Sequence, residues 1–143
     1  MTTASVRKPA TRPASSPDAA TIFSPVRRDT AIYILSPRRV VEALLLAMRL
    51  PESAWGRQRV LPLPGITVTV AGMVDALARV AGESVLDHIR WQPDPAIQRI
   101  VDTWPARAEA RRARNLGFTG DTSFDEILRA HIEDELGGGS HQP

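Results

Sequence analysis

Residues 89–107 read Ile89-Arg-Trp-Gln-Pro-Asp-Pro-Ala-Ile-Gln-Arg-Ile-Val-Asp-Thr-Trp-Pro-Ala-Arg107. Ile89-Arg-Trp91 is a short strand, and Gln92-Pro-Asp-Pro95 interrupts it. Ile97, Ile100, Val101 and Trp104 then recur at helical spacing, and Pro105 closes the run. A brief strand feeding a helix indicates a mixed fold. Arg99 and Asp102 stand three apart on that helix and share a face, and Arg107 follows the break. Arginine suits bidentate recognition of a carboxylate, which makes Arg99, Asp102 and Arg107 the charged cluster of interest in this stretch. The bland alternative is a local Arg–Asp ion pair at a helix end.

Outward from this stretch the same grammar repeats. Ala31–Leu35 reads as a buried strand, and Ser36-Pro37 caps a helix whose Val40, Val41, Leu44, Leu45 and Met48 form one apolar face. Gln58–Leu63 reads as a strand with an edge-like Pro62. After Pro64-Gly65, Ile66, Val68 and Val70 alternate with threonines, and Thr69 caps a helix that ends at Gly82 with Met73, Val74, Leu77 and Val80 on its apolar side. Residues 83–89 suggest a turn or short helix, and 106–116 are helix-compatible. Ser123 and Glu126 offer a capping box for a last helix with Phe124, Ile127, Leu128, Ile132 and Leu136 facing inward. His131 falls near that apolar stripe and reads as a half-buried packing residue. The fold class expected is α+β, helix-rich with short strands, over residues 31–136.

The ends differ from the middle. Residues 1–30 are rich in Ala, Ser, Thr and Pro, with Val6, Ile22, Phe23 and Val26 as the large apolar residues, and are expected to be disordered. Their prolines interrupt the long amphipathic helix of a transit peptide. Residues 137–143 form a glycine-rich, flexible tail on the same reading.

Composition excludes several chemistries. The 143-residue chain has no cysteine, so thiolate ligands, thiol nucleophiles and disulfides are ruled out. His88, His131 and His141 lack metal-ligand spacing. No uncharged apolar run is long enough to cross a membrane, and a cytoplasmic location is the expectation. Formal charge is +2, carried by 17 Arg and one Lys. Arg111-Arg-Ala-Arg114 invites a nucleic-acid reading, but the acidic 121–136 segment would repel phosphate and stacking aromatics are scarce. Asp125/Glu126 and Glu133–Glu135 read as a solvated face rather than a catalytic pair. Glycines never fall as a phosphate loop or a nucleophile elbow.

Residues 36–136 resemble the carboxy-terminal part of extended short-chain dehydrogenases, the NAD-dependent epimerase/dehydratase family. The likeness is carried by Ser36-Pro-Arg-Arg-Val-Val-Glu-Ala-Leu44, Leu63-Pro-Gly-Ile-Thr-Val-Thr-Val70, the 89–107 stretch, Asn115-Leu-Gly-Phe118 and Phe124-Asp-Glu-Ile127. The resemblance implies a substrate-binding domain, with Arg99, Asp102 and Arg107 near the cleft that receives a small sugar acid. It also implies a Rossmann half that binds NAD and carries a Tyr-x-x-x-Lys pair. The one Tyr here is Tyr33, the one Lys is Lys8, and Pro37 stands where the lysine is required. Neither catalytic nor NAD-binding residues are therefore expected in this chain, which reads as a truncated substrate domain. A stand-alone interaction or dimerisation module is the alternative, and a nucleic-acid binder a more distant one. The wide apolar faces of helices 37–49 and 70–81 predict self-association or a partner subunit.

Overall fold

The computed structural model describes residues 21–137. Strand β1 (Ile22–Ser24) precedes β2 (Ala31–Ile34), helix α1 (Pro37–Arg49) and the short α2 (Glu52–Trp55). Then come β3 (Ile66–Thr69), α3 (Val70–Ala81), a 3₁₀ turn (Glu83–His88) and β4 (Ile89–Trp91). Helices α4 (Pro95–Val101), α5 (Arg111–Asn115) and α6 (Phe124–His131) follow, with a π-helical turn over Ile132–Leu136. Two small sheets hold the strands. β1 pairs in parallel with β4, Phe23 opposite Arg90, and β2 pairs antiparallel with β3, Tyr33 opposite Thr67. The architecture is mixed, helix-rich and built on short strands.

Local chemistry explains the boundaries. The Ser36 hydroxyl accepts from the Arg39 amide, and the N–H that Pro37 lacks would have had no helical acceptor. Thr69 caps α3 through the Gly72 amide, and Ser123 caps α6 through the Glu126 amide. The capping box is displaced by one residue. Glu126 reaches back to the amide and hydroxyl of Thr122, both at 2.8 Å, rather than to Ser123.

The core lies where α1 meets α5 and the loop behind it. Ala43, Ala110, Ala113 and Phe118 are buried, ringed by Leu46, Ala47, Leu50, Trp55, Leu61, Leu63 and Leu116. Trp55 meets Phe118 edge-on, ring centroids 6.3 Å apart. Gly120 is required here, because a Cβ would be driven into the Pro64 carbonyl. The Asp121 carboxylate joins the beginning of α1 to the approach of α6. It accepts from the Ser36 amide at 2.7 Å and the Ser36 hydroxyl at 2.8 Å, and all of these groups are buried.

Several expectations need correction. Residues 22–30 are ordered: β1 finds its ladder on β4, and Thr30 is buried against Gln98. The remainder of the expected disordered segment, and residues 138–143 of the tail, lie outside the described residues. Gln58–Leu63 is not a strand, since among the described residues no strand pairs with it. α4 buries Gln98 and Val101, leaving Ile97, Ile100 and Trp104 exposed, because its inner face meets a polar network. His131 is exposed, as is Leu136. Of the carboxylates read as a solvated face, Asp125, Glu126, Glu133 and Asp134 carry surface ion pairs, which leaves that reading standing. Arg38 holds Glu133 and Asp134, Arg39 holds Glu126 and Glu42, and Arg79 holds Asp125.

These pairings make the acid limb of stability readable. Thr122 donors, then Arg39, hold the Glu126 carboxyl below its ordinary range, while Arg79 does the same for Asp125 and Arg38 for Asp134. Their contribution is present above the unfolded carboxylate pKa of ~4 and is lost as pH falls through the lower folded values. Melting temperature should hold from pH 7 to about 5 and then drop, with a shallower drop in Glu126→Gln. Asp121→Ala strands the buried Ser36 amide and should destabilise by about 3 kcal/mol in urea titration, whereas Asp121→Asn keeps one acceptor and should cost less.

Candidate functional site

The three residues singled out by spacing lie on α4 and the loop after it. α4 begins at Asp94, whose carboxylate accepts from the amides of Ala96 and Ile97 at 2.7 and 3.4 Å. Gln98, in the middle of the helix, is the hub. Its Oε1 accepts from the Arg27 amide at 2.8 Å, and its Nε2 donates to Thr30 Oγ1 at 3.1 Å and Asp102 Oδ1 at 2.7 Å. The Arg27 guanidinium donates to the same Asp102 oxygen at 3.2 Å. Asp102 is thereby engaged by the turn after β1, and the local Arg99–Asp102 ion pair does not form.

Arg99 and Arg107 are exposed, and among the described residues neither has a carboxylate within ion-pair distance. The loop that carries Arg107 is anchored by the Thr67 hydroxyl, which donates to the Ala106 carbonyl at 2.6 Å. The structure thus separates the trio into one carboxylate already satisfied and two available cations. Sequence spacing did not reveal Arg27, Thr30 or Gln98. The one signal was a glutamine set among apolar helix positions, and its distant partners Thr30 and Arg27 lie 68 and 71 residues away.

Two hollows flank α4 and β4. An open one of about 480 Å³ is lined by Phe23, Pro25, Pro93, Asp94, Pro95 and Ile97 among others. A second, of about 220 Å³, lies beside Trp91, over whose ring the Arg28 guanidinium sits at 4.4 Å, with Asp75 on its rim. The described residues do not fit a dinucleotide. Among the described residues the three helices of eight or more residues each have one first-turn amide taken by their own Ser36, Thr69 or Ser123 cap, and none follows a G-x-G-x-x-G turn. Tyr33 is equally committed. Its hydroxyl donates to the Leu63 carbonyl at 2.9 Å and accepts from the Gly65 amide at 2.6 Å.

No family model matches the chain. Solved structures do. The nucleoside-diphosphate-sugar epimerase from Agrobacterium tumefaciens superimposes with a TM-score of 0.79 at 39% identity, over 83% of this chain and 35% of that one. The GalE-like L-threonine dehydrogenase from Cupriavidus necator shares the fold, with a TM-score of 0.66 at 20% identity over 79% of this chain. The chain shows partial homology, over about a third of their length, to this epimerase and to D-erythronate dehydrogenases. Among curated proteins it is 47% identical over 110 residues to D-erythronate dehydrogenase of Cupriavidus necator, covering 77% of this chain and 34% of that protein. It is 34% identical over 112 residues to the D-erythronate dehydrogenase of Haemophilus influenzae. The chain spans about a third of the length of these relatives. No helix among the described residues is long and apolar enough to cross a membrane.

Tyr33→Phe tests the structural assignment of the phenol. It leaves the Gly65 amide and Leu63 carbonyl without their shared partner and should cost about 1–2 kcal/mol. A Tyr33→Phe chain as stable as the parent would refute that role.

Proposed function

We propose that the chain is the substrate-binding portion of an NAD-dependent dehydrogenase for a small sugar acid of the D-erythronate type, and is inactive alone. The observation that carries this reading is the 47% identity to D-erythronate dehydrogenase over 110 residues, in a chain whose one tyrosine is consumed by a backbone turn. On this reading Arg99 and Arg107 meet the carboxylate of the acid, and Asp102 is a positioning residue held by Gln98 and Arg27. An exposed guanidinium with no internal carboxylate keeps its bidentate geometry for a ligand. Asp102 instead fixes the turn at Arg27 against α4 and so sets where α4 presents Arg99. Hydride and proton transfer belong to the part of the relatives that this chain does not match.

Titration of the purified chain with NADH, followed by cofactor fluorescence, should show no saturable binding. Residues 21–143 fused in place of the matching third of the Cupriavidus necator relative should restore NAD reduction with D-erythronate. In that fusion Arg99→Ala or Arg107→Ala should raise KM for the acid about tenfold or more with a smaller change in kcat. A fusion that binds NADH yet fails to turn over D-erythronate would overturn the reading.

A further inference from the structure

We propose that the hollow between α3 and β4 is a binding site for a small zwitterion, an α-amino acid with a branched apolar side chain. It lies on the opposite face of the β1–β4 ladder from the hollow beside α4. Phe23, in register with Arg90, lines the one, and Ile89 and Trp91, at the alternate positions of β4, line the other. The proposal therefore stands apart from the sugar-acid reading above.

The first observation is a pair of opposite charges that face one hollow and do not meet. Arg28 and Asp75 both line the space of about 220 Å³. They form no ion pair with each other, and neither has an ion-pair partner elsewhere among the described residues. The main chain sets them on one side of α3. The Ala71 amide donates to the Arg28 carbonyl at 2.9 Å, and Asp75 follows Ala71 by one helical turn. The Arg28 guanidinium is held over the Trp91 ring, 4.4 Å from its centroid. The charges beside the two are already matched. Arg27 holds Asp29 and Asp102, and Arg79, one turn beyond Asp75, holds Asp125.

The second observation is what surrounds these two poles. Val74, Leu86, Ile89 and Trp91 complete the lining. The space is smaller than the ~300–1,000 Å³ of sites for drug-sized ligands, and it suits a molecule the size of one amino acid.

Charge selects among molecules of that size. A monocarboxylate that pairs with Arg28 is repelled by Asp75, and a monoamine that pairs with Asp75 is repelled by Arg28. A molecule carrying both ions satisfies both poles, its carboxylate on the guanidinium fork and its ammonium on the Asp75 carboxylate. The hydroxyls of a sugar acid would face Val74, Leu86 and Ile89 without partners, whereas a branched apolar side chain packs on them.

Calorimetric titration of the 143-residue chain with L-leucine, 4-methylpentanoate and 3-methylbutylamine separates the poles, because the three share an apolar part and differ in their ions. L-Leucine should bind saturably at one site, and each single-ion analogue at least tenfold more weakly. Asp75→Asn and Arg28→Gln, both at exposed positions, should each weaken L-leucine at least tenfold with the melting temperature close to the parent's. The preference should follow the charge removed. Asp75→Asn should bind 4-methylpentanoate at least as tightly as L-leucine, and Arg28→Gln should do the same for 3-methylbutylamine. If either variant fails to fold, the three ligands on the parent chain decide. No saturable binding of L-leucine, or equal binding of either analogue by the parent chain, would overturn the proposal. Displacement of L-leucine by D-erythronate would overturn it too, by giving the hollow to the sugar acid, and would leave the proposed function standing.

Discussion

The buried carboxylate of Asp121 is the constraint on which the arrangement of helices depends. Its two oxygens take the amide and hydroxyl of Ser36, while the Ser36 hydroxyl also caps the first turn of α1. One acidic group thus fixes the start of α1, the end of β2 and the entry to α6. Such a bond counts for more here than in a larger core, because the buried apolar set is mostly alanine: Ala43, Ala76, Ala110, Ala113 and Ala130, against Val26, Val101 and Phe118. Alanine lets backbones approach closely but contributes little transfer free energy per residue. The ion pairs between α1 and the π-helical turn after α6 add orientation more than stability, since Arg38, Glu133 and Asp134 are all partly in water.

What local chemistry alone determines is legible in the sequence. Ser36, Thr69 and Ser123 announce three helices because a cap needs only its own neighbours. The strands at 31–34, 66–69 and 89–91 are legible because their partners lie within the chain. The 58–63 segment has the same signals and fails to become a strand, because a ladder is a property of two segments. The ordering of residues 22–30 was hidden for the converse reason. Three residues of β1 carry no periodicity, and what orders them is β4, nearly seventy positions on.

The candidate site divides along the same line. Spacing puts Arg99 on a short helix and Asp102 next to it, where the structure makes it the C-cap, but it cannot choose a partner for Asp102. Arg27 wins over Arg99 because it approaches from outside the helix with its amide already bound to Gln98, so its guanidinium arrives oriented. The lone glutamine at position 98 is as informative as the charges. A buried side-chain amide needs several partners, and finding them in Thr30, Arg27 and Asp102 ties β1, β2 and α4 into one unit.

Where the apolar side chains point is the last step. Large residues such as Leu44, Leu45, Met48 and Val60 face outward while alanines fill the interior, an inversion of the usual order for an independent domain. Selection for a small self-sufficient core would place leucine and valine where the alanines sit. Small residues instead let the helices lie close, and the large ones stand on the outer face of α1 and at position 60. The Tyr33 phenol is spent on holding the 63–65 turn, the same turn that brings Leu61 and Leu63 beside α1.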